Sequence, residues 1–169
     1  LKAGGGYARL AAPASVVSAL GSAAREVVMV PLGETADGTV SLSNLDSLCE
    51  LCLRADMVVI GPGLSLHDET QELVRRLLTH VPTQALVDGD GIGAVARDPS
   101  CLRGRGGATV VTPHVAEMAR MLDCETAEVQ RDRVGAVQRA CALFGAIVVL
   151  KGSSTLVGDA GGRVSLNLS

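Results

Sequence analysis

The amino-acid sequence predicts an α/β domain with three layers, α/β/α, around a mostly parallel central sheet, and three observations lead to this prediction. Short apolar runs alternate with amphipathic stretches along the 169 residues, which is typical of repeated strand–helix units. The core must be aliphatic, because hydrophobic residues make up 47% of the chain and aromatic residues only 1%. The sequence shows no internal repeat, linker or low-complexity tract, so a single domain is expected.

The first half of the chain is predicted to contain three strand–helix units. Each apolar run stops at a proline, a glycine or a polar turn, which closes a strand, and Leu73, Val74, Leu77 and Leu78 form the apolar stripe of a helix. The predicted strands are 7–12, 26–30 and Met57–Ile60, and the predicted helices are 14–22, 44–54 with Asn44 as its cap, and Asp68–His80.

The second half continues the alternation of strands and helices and then ends in two consecutive strands. The run 146–150 is the most strongly β-branched strand, and a glycine-rich turn at 158–162 indicates an antiparallel pair at the end. The remaining predicted strands are 85–87 and 108–111, the predicted helices are 115–122 and 127–144, and the antiparallel pair is formed by 155–157 and 163–166.

Four predicted strands are followed by residues suited to ligand binding. Ligands of open parallel sheets bind beyond the carboxyl ends of the strands, so all four loops are expected on one edge of the sheet. The loops are Gly61-Pro62-Gly63-Leu64-Ser65, Asp88-Gly89-Asp90-Gly91, Thr112-Pro113-His114-Val115-Ala116-Glu117 and Lys151-Gly152-Ser153-Ser154-Thr155.

The first two loops each allow two interpretations. Glycines at 61 and 63 let backbone amides approach a phosphate or ribose, although glycines are also ordinary in strand–helix turns. The loop lacks the Gly-Lys-Ser/Thr of a P-loop, and the chain has no G-x-G-x-x-G opening a helix. Asp88 is more suited to a ribose hydroxyl or magnesium, whereas Asp90 is equally suited to capping a helix.

The other two loops hold the remaining candidates. His114 is either a ligand contact or a helix cap. Lys151 follows an apolar strand, where a buried lysine without a partner is costly, so an anionic nucleotide is the favoured partner. Ser153, Ser154 and Thr155 add hydroxyl donors to that loop.

Composition and charge exclude several function classes. The net charge of −3, the pI of about 5.6 and the aromatic content of only 1% disfavour nucleic-acid binding. No apolar run reaches the roughly 20 residues that a membrane helix needs. Five cysteines without a signal peptide indicate reduced thiols in the cytoplasm, and the Cys49-x-x-Cys52 spacing favours packing on a helix over a metal site.

The motifs together resemble the NAD(P)H-hydrate dehydratases, the YjeF carboxy-terminal-domain proteins of the ribokinase-like superfamily. The resemblance rests on Gly-Pro-Gly-Leu at 61–64, Asp-x-Asp at 88–90, Thr-Pro-His-x-x-Glu-Met at 112–118, and Val-Val-Leu-Lys-Gly-x-x-Thr at 148–155. The stretch Lys2-Ala3-Gly4-Gly5-Gly6-Tyr7 is similar to the family's glycine-rich first segment. The resemblance spans nearly the whole chain.

The resemblance implies a ribokinase-like fold and repair of hydrated NAD(P)H through phosphorylation by ADP or ATP with Mg²⁺, followed by elimination of phosphate. It also implies self-association. Gly63 and His114 would contact the hydrate, and the stretch beginning at Thr112 would line its pocket. The implied substrate residues are Gly61, Gly63, Asp88, Thr112, His114 and Glu117, and the implied nucleotide residues are Lys151, Gly152, Ser153, Ser154 and Thr155.

This sequence departs from the family pattern at three places. Ser65 stands where the family has the last glycine of Gly-Pro-Gly-Leu-Gly, and glycines replace both alanines of Asp-Ala-Asp-Ala in 88–91. The family's Gly-x-Gly-Asp loop, which carries the expected catalytic Asp, would lie beyond Ser169, so no residue of 1–169 is assigned as the base. We therefore expect one ribokinase-like domain over 1–169 that is incomplete at both ends.

Two other functions remain open from the sequence. One is a thiazole- or pyrimidine-type small-molecule kinase of the same superfamily, whose reaction stops at phosphoryl transfer. The other is an inactive nucleotide-binding module. A NAD-dependent oxidoreductase is disfavoured, because the dinucleotide fingerprint is absent. The choice between ATP and ADP, and between NADH and NADPH hydrate, is not determined by the sequence.

Overall fold

A computed structural model describes residues 4–21 and 26–168 of the chain. The described strands form two sheets. Strands β1 (Arg9–Pro13) and β2 (Val28–Leu32) make a parallel pair. The second sheet has six strands in chain order, β3-β4-β5-β6-β7-β8. Its strands are β3 (Met57–Ile60), β4 (Gln84–Val87), β5 (Thr109–Val111), β6 (Ile147–Leu150), β7 (Thr155–Gly158) and β8 (Val164–Asn167).

Seven α-helices connect these strands. Successive helices from α2 onward pack against one another and form a continuous layer, whereas α1 packs on the two-stranded sheet. The helices are α1 (Ala14–Leu20), α2 (Leu45–Cys52), α3 (Asp68–His80), α4 (Asp90–Arg97), α5 (Val115–Met121), α6 (Thr126–Arg131) and α7 (Arg133–Phe144). Short 3-10 turns occur at Leu42–Asn44 and Pro99–Leu102.

The six-stranded sheet is mixed. Strands β3, β4, β5 and β6 are parallel, and β7 and β8 are antiparallel to their neighbours. This arrangement confirms the predicted α/β class with a mostly parallel sheet, including the antiparallel pair at the end. It also means that the loops after β3 to β6 emerge on the same edge.

One face of the large sheet carries the core. Alternate strand residues are buried on this face, because side chains of a strand point to opposite faces in turn. Ile60, Val87, Val111 and Val148 belong to the same buried cluster as the inner residues of α3, α4 and α7. On the other face several apolar side chains are exposed: Met57, Val59 and Val157.

Three element predictions from the sequence need correction. Helix α4 lies at Asp90–Arg97, where no helix was expected. The single helix expected at 127–144 is two helices that meet at Asp132, whose side chain accepts a hydrogen bond from the Gly135 amide. The predicted strand at 26–30 lies two residues further on, at Val28–Leu32.

Two predicted helix caps are also wrong in detail. His67, not Asp68, caps α3, with its Nδ1 accepting from the Glu69 amide. Asn44 does stand at the start of α2, but its side chain binds the backbone of Gly33 instead of the helix. The predicted end of the first helix at Ser22 and the Lys2-Ala3 part of the glycine segment lie outside the described residues.

Cys49 and Cys52 lie on α2, with Cys52 buried in the core and Cys49 packed against it, as the helix-packing interpretation predicted. Within 4–21 and 26–168, no helix has the length and apolar character needed to cross a membrane.

Candidate functional site

The four loops predicted to share one edge do so in the structure. Backbone hydrogen bonds continue past the strand ends and join the loops to neighbouring strands. The Asp88 amide donates to the Ile60 carbonyl at 3.0 Å, and the Thr112 amide donates to the Val87 carbonyl at 3.1 Å. The Lys151 amide donates to the Pro113 carbonyl at 2.8 Å. The loops are therefore held in fixed positions relative to one another.

The centre of this edge is an ion pair between two of the predicted residues. Lys151 Nζ lies 2.7 Å from Asp88 Oδ1, across the end of β5. Partial burial opposes ionisation of Asp88, but hydrogen bonds from Lys151, Thr112 and the Gly89 amide outweigh it, so the Asp88 pKa lies below its ordinary value. Asp88, Thr112 and Lys151 thus form one polar cluster, although they lie in three different loops.

Gly61 is a glycine because two loops meet there. A Cβ at this position would lie 1.8 Å from the Asp88 carbonyl oxygen and 2.7 Å from the Gly91 amide nitrogen. Its φ of +126° is also in the region that side chains avoid. Gly63 has a φ of +71° but open space around it and is exposed. Of the two, Gly63 is the one whose backbone can face a ligand.

Hydrogen bonds with Asp90 and Gln71 hold the Gly61–Ser65 turn in place. Asp90 Oδ2 accepts from the Ser65 amide at 2.8 Å, and Gln71 Nε2 donates to the Ser65 carbonyl at 2.9 Å and to the Asp90 carbonyl at 3.0 Å. Ser65 has a φ of +80°, which explains why a glycine suits this position. Asp90 therefore acts as a loop support, one helix position inside α4 and not its cap.

His114 is the N-cap of α5. Its Nδ1 accepts from the Ala116 and Glu117 amides at 3.1 and 3.3 Å, while Glu117 Oε2 accepts from the His114 amide at 2.7 Å. This reciprocal arrangement is a capping box with histidine in place of serine or threonine. Because Nδ1 is an acceptor, the neutral ring carries its proton on Nε2, which lies 3.5 Å from Glu117 Oε1. The imidazole remains half exposed.

The loop 151–155 connects β6 to the antiparallel β7. Gly152 and Ser153 are exposed. The hydroxyl groups of Ser153, Ser154 and Thr155 make no hydrogen bond to any other residue in the described part of the chain. These three donors are therefore available to a ligand, in contrast to the carboxylates on the same edge.

The structure thus brings Gly61, Asp88, Thr112 and Lys151 into direct or shared contact, and it pairs His114 with Glu117 beside them. The sequence analysis missed Gln71, which is fully buried and supports the glycine turn. The available signal was a glutamine three residues before Val74, on the apolar face of α3.

Comparisons with known proteins agree with this arrangement. A family model described as NAD(P)H-hydrate dehydratase matches residues 1–169. The bifunctional NAD(P)H-hydrate repair enzyme Nnr of Thermofilum pendens is 46% identical over 169 residues, which cover 100% of this chain and 32% of that enzyme. The chain thus spans about a third of the length of the curated relative it matches.

Solved structures show the same fold. The ADP/ATP-dependent NAD(P)H-hydrate dehydratase from Bacillus subtilis, co-crystallized with ATP/Mg²⁺ and soaked with CoA, matches with a TM-score of 0.75 and 23% identity over 97% of this chain and 55% of that chain. A ribokinase-like superfamily protein from Enterococcus faecalis matches with a TM-score of 0.74 and 21% identity over 97% and 53% of the two chains. The ribokinase-like fold predicted from the motifs is confirmed, and this chain belongs to the NAD(P)H-hydrate dehydratase family.

Proposed function

We propose that the protein containing this chain repairs hydrated nicotinamide cofactor, using ADP or ATP to convert (6S)-NAD(P)H hydrate to NAD(P)H. The observation that carries the proposal is the Lys151–Asp88 ion pair, which joins two family motifs 63 residues apart at the edge of the sheet. Family membership over residues 1–169 supplies the reaction class.

The two ligands are assigned to adjacent parts of this edge, which meet at the Lys151–Asp88 ion pair. The loop after β6 has unbonded hydroxyls and little side-chain bulk, so it suits the adenine nucleotide. The loops after β3, β4 and β5 surround the remaining space and suit the hydrated ring. The nucleotide residues are Lys151, Gly152, Ser153, Ser154 and Thr155, and the hydrate residues are Gly61, Gly63, Asp88, Thr112, His114 and Glu117.

The reaction has two steps. In the first, the hydroxyl oxygen of the hydrate attacks the terminal phosphorus of the nucleotide, its proton passes to a base, and the shortened nucleotide leaves. In the second, phosphate departs from the ring carbon while a neighbouring ring proton is lost, which restores the double bond. The resemblance places the base in the family's Gly-x-Gly-Asp loop, and we assign no residue of 1–169 to that role.

Lys151 and Asp88 prepare the edge for an anionic ligand. The ammonium neutralises the carboxylate, so phosphate groups approaching this end of the sheet do not meet an uncompensated negative charge. Both side chains are partly exposed, so a phosphate can also compete with Asp88 for the ammonium. His114 can offer its Nε2–H to the hydrate without giving up its cap, because the cap uses Nδ1.

The carboxylates present do not fit a protein-held magnesium site. In the described ranges there is no group of three or more His, Cys, Asp or Glu side chains that could hold a metal. Asp88 is bound to Lys151, and Asp90 is bound to the Ser65 amide. We therefore derive no step from a magnesium ion held by these residues. The Mg²⁺ of the proposed co-substrate would be bound through phosphate oxygens.

All five cysteines of the chain are free thiols in the structure. Burial raises the pKa of Cys52 and of Cys101 to about 11, so these thiols stay protonated and unreactive. The expected self-association of the protein remains a prediction, and sedimentation of the purified protein would test it.

The test is a dehydration assay with NADH hydrate, Mg²⁺ and either ADP or ATP. It should use the full-length protein that contains this chain and, in parallel, residues 1–169 alone. Recovery of the near-ultraviolet absorbance of NADH by the full-length protein is expected, with loss of activity when Lys151 is replaced by Met. Accumulation of a phosphorylated product without NADH would favour the kinase alternative, and ADP binding without any turnover would favour the inactive module.

A further inference from the structure

Arg133, the first residue of α7, lies against the loop that we assign to the nucleotide. A Cβ placed on Gly152 would be 2.8 Å from Arg133 Nη2, 3.3 Å from its Cζ and 3.4 Å from its Nη1. All three atoms belong to the guanidinium group, so this group packs against Gly152. The cation is thus part of the loop's immediate surroundings, although 18 residues lie between the two positions in the chain.

The guanidinium has few partners. Its one hydrogen bond joins Nη2 to the Leu150 carbonyl at 3.5 Å, which is long, and its Nε is buried without a partner. No carboxylate within 4.0 Å forms an ion pair with it in the described part of the chain. The neighbouring Asp132 uses its carboxylate to accept from the Gly135 amide.

The lysine of the loop is already paired, because Lys151 binds Asp88 at 2.7 Å. Arg133 is a second positive charge beside this loop, and it has no ion-pair partner among the described residues. A partly buried guanidinium without one is costly, and an anion at the loop would remove that cost.

We infer that Arg133 binds a phosphate group of the adenine nucleotide, together with the hydroxyls of Ser153 and Ser154. The inference rests on the proposed function, since it assumes that the nucleotide occupies the 151–155 loop. An arginine suits this task because its planar fork presents parallel N–H donors to phosphate oxygens. A glycine at 152 leaves room for the guanidinium, which a Cβ at this position would push aside.

The experiment measures binding of ADP and of adenosine by titration calorimetry, using the full-length protein and its Arg133→Met variant. ADP should bind about tenfold more weakly to the variant, as expected for loss of a charged hydrogen bond, while adenosine binding changes little. Arg131→Met is the matched control, because Arg131 is exposed, lies two residues away and forms no ion pair with a described residue. It should bind ADP as the unaltered protein does.

A second variant, Arg133→Lys, keeps the charge and guards against misfolding of the methionine variant. Its affinity for ADP should lie between that of the unaltered protein and that of the Arg133→Met variant. Equal weakening of ADP and adenosine would show that Arg133 only supports the loop, and unchanged ADP affinity in both variants would also overturn the inference. If the unaltered protein itself binds no ADP, the proposed function fails first, which separates the two conclusions.

Discussion

The hydrate side and the nucleotide side of the edge differ in how many of their polar groups are already in use. On the hydrate side, Asp88, Asp90 and Glu117 each accept hydrogen bonds from the protein. On the nucleotide side, the hydroxyls of 153–155 accept or donate no hydrogen bond, and Arg133 forms no ion pair, within residues 4–21 and 26–168. The first region is a rigid frame, and the second is a set of donors that a ligand would complete. Four substitutions test the frame, from the largest expected effect to the smallest.

The largest effect is expected from Gly61→Ala. The new Cβ would overlap the Asp88 carbonyl, so the two loops must separate, and the free energy of unfolding should fall by about 3 kcal/mol or more. Urea unfolding measures it. Gly63→Ala is the control, since it has a positive φ but open space, and should cost only about 1 kcal/mol. Equal losses at both positions would mean that the close contact at Gly61 is not the cause.

His114 is expected to contribute next. His114→Ala removes the cap of α5 and should lower the free energy of unfolding by about 1 kcal/mol. His114→Ser restores a cap without an imidazole, so it should recover the stability. Dehydratase activity then separates the two roles. If the serine variant is stable but inactive, the imidazole contacts the hydrate. If the serine variant is active, His114 serves only as the helix cap.

Asp88→Asn should have a smaller effect on stability. The ion pair with Lys151 is partly exposed, so about 0.5–1 kcal/mol is expected at neutral pH. Because the Asp88 pKa is lowered in the folded protein, this contribution is present above its ordinary value of 3.8 and is lost as the pH falls through the folded pKa. Thermal unfolding from pH 6 downward, roughly to pH 3, should show the two proteins converging at the acid end. A constant difference would contradict the assignment.

Ser65→Gly should raise stability slightly. It relieves a φ of +80° but removes the Ser65 Oγ that accepts from the His67 amide at 3.2 Å. A net gain of about 0.5 kcal/mol is expected from these opposing effects. Differential scanning calorimetry can resolve it. A loss of stability would show that the hydroxyl contributes more than the strain removes.

The frame could be located from the sequence, but its contacts could not. Strand ends such as Val87 and Val111 are recognisable because continuous apolar residues give way to Asp or Thr at one step. Nothing local to Asp88 or Lys151 indicates that they pair, since 63 residues separate them. The order of the strands determines which loops share an edge of the sheet. Which side chains bind one another across those loops depends on three-dimensional geometry that the sequence pattern does not contain.

Helix α4 shows why one element was missed. Gly91 and Gly93 lower its helix propensity, and both positions lie so close to neighbouring atoms that a small residue is favoured. A Cβ on Gly91 would lie 3.0 Å from the Gly61 Cα, and one on Gly93 would lie 3.1 Å from Leu66 Cδ2. The tertiary contacts that favour these glycines cannot be inferred from the local sequence pattern. At 127–144, the break falls at Asp132, whose side chain accepts from the Gly135 amide and so starts a second helix.

The reversal of strand direction at β7 sets the electrostatics of the edge. The loops after β3, β4 and β5 each lead into a helix, whereas the loop after β6 turns back into the sheet. No helix therefore begins within the 151–155 loop, so the backbone of the loop itself supplies no row of free amides at a helix start. The charged side chains of Lys151 and Arg133 supply positive potential at the loop, and dissolved ions screen it within about 8 Å at physiological ionic strength. Nucleotide affinity should consequently weaken as salt is added.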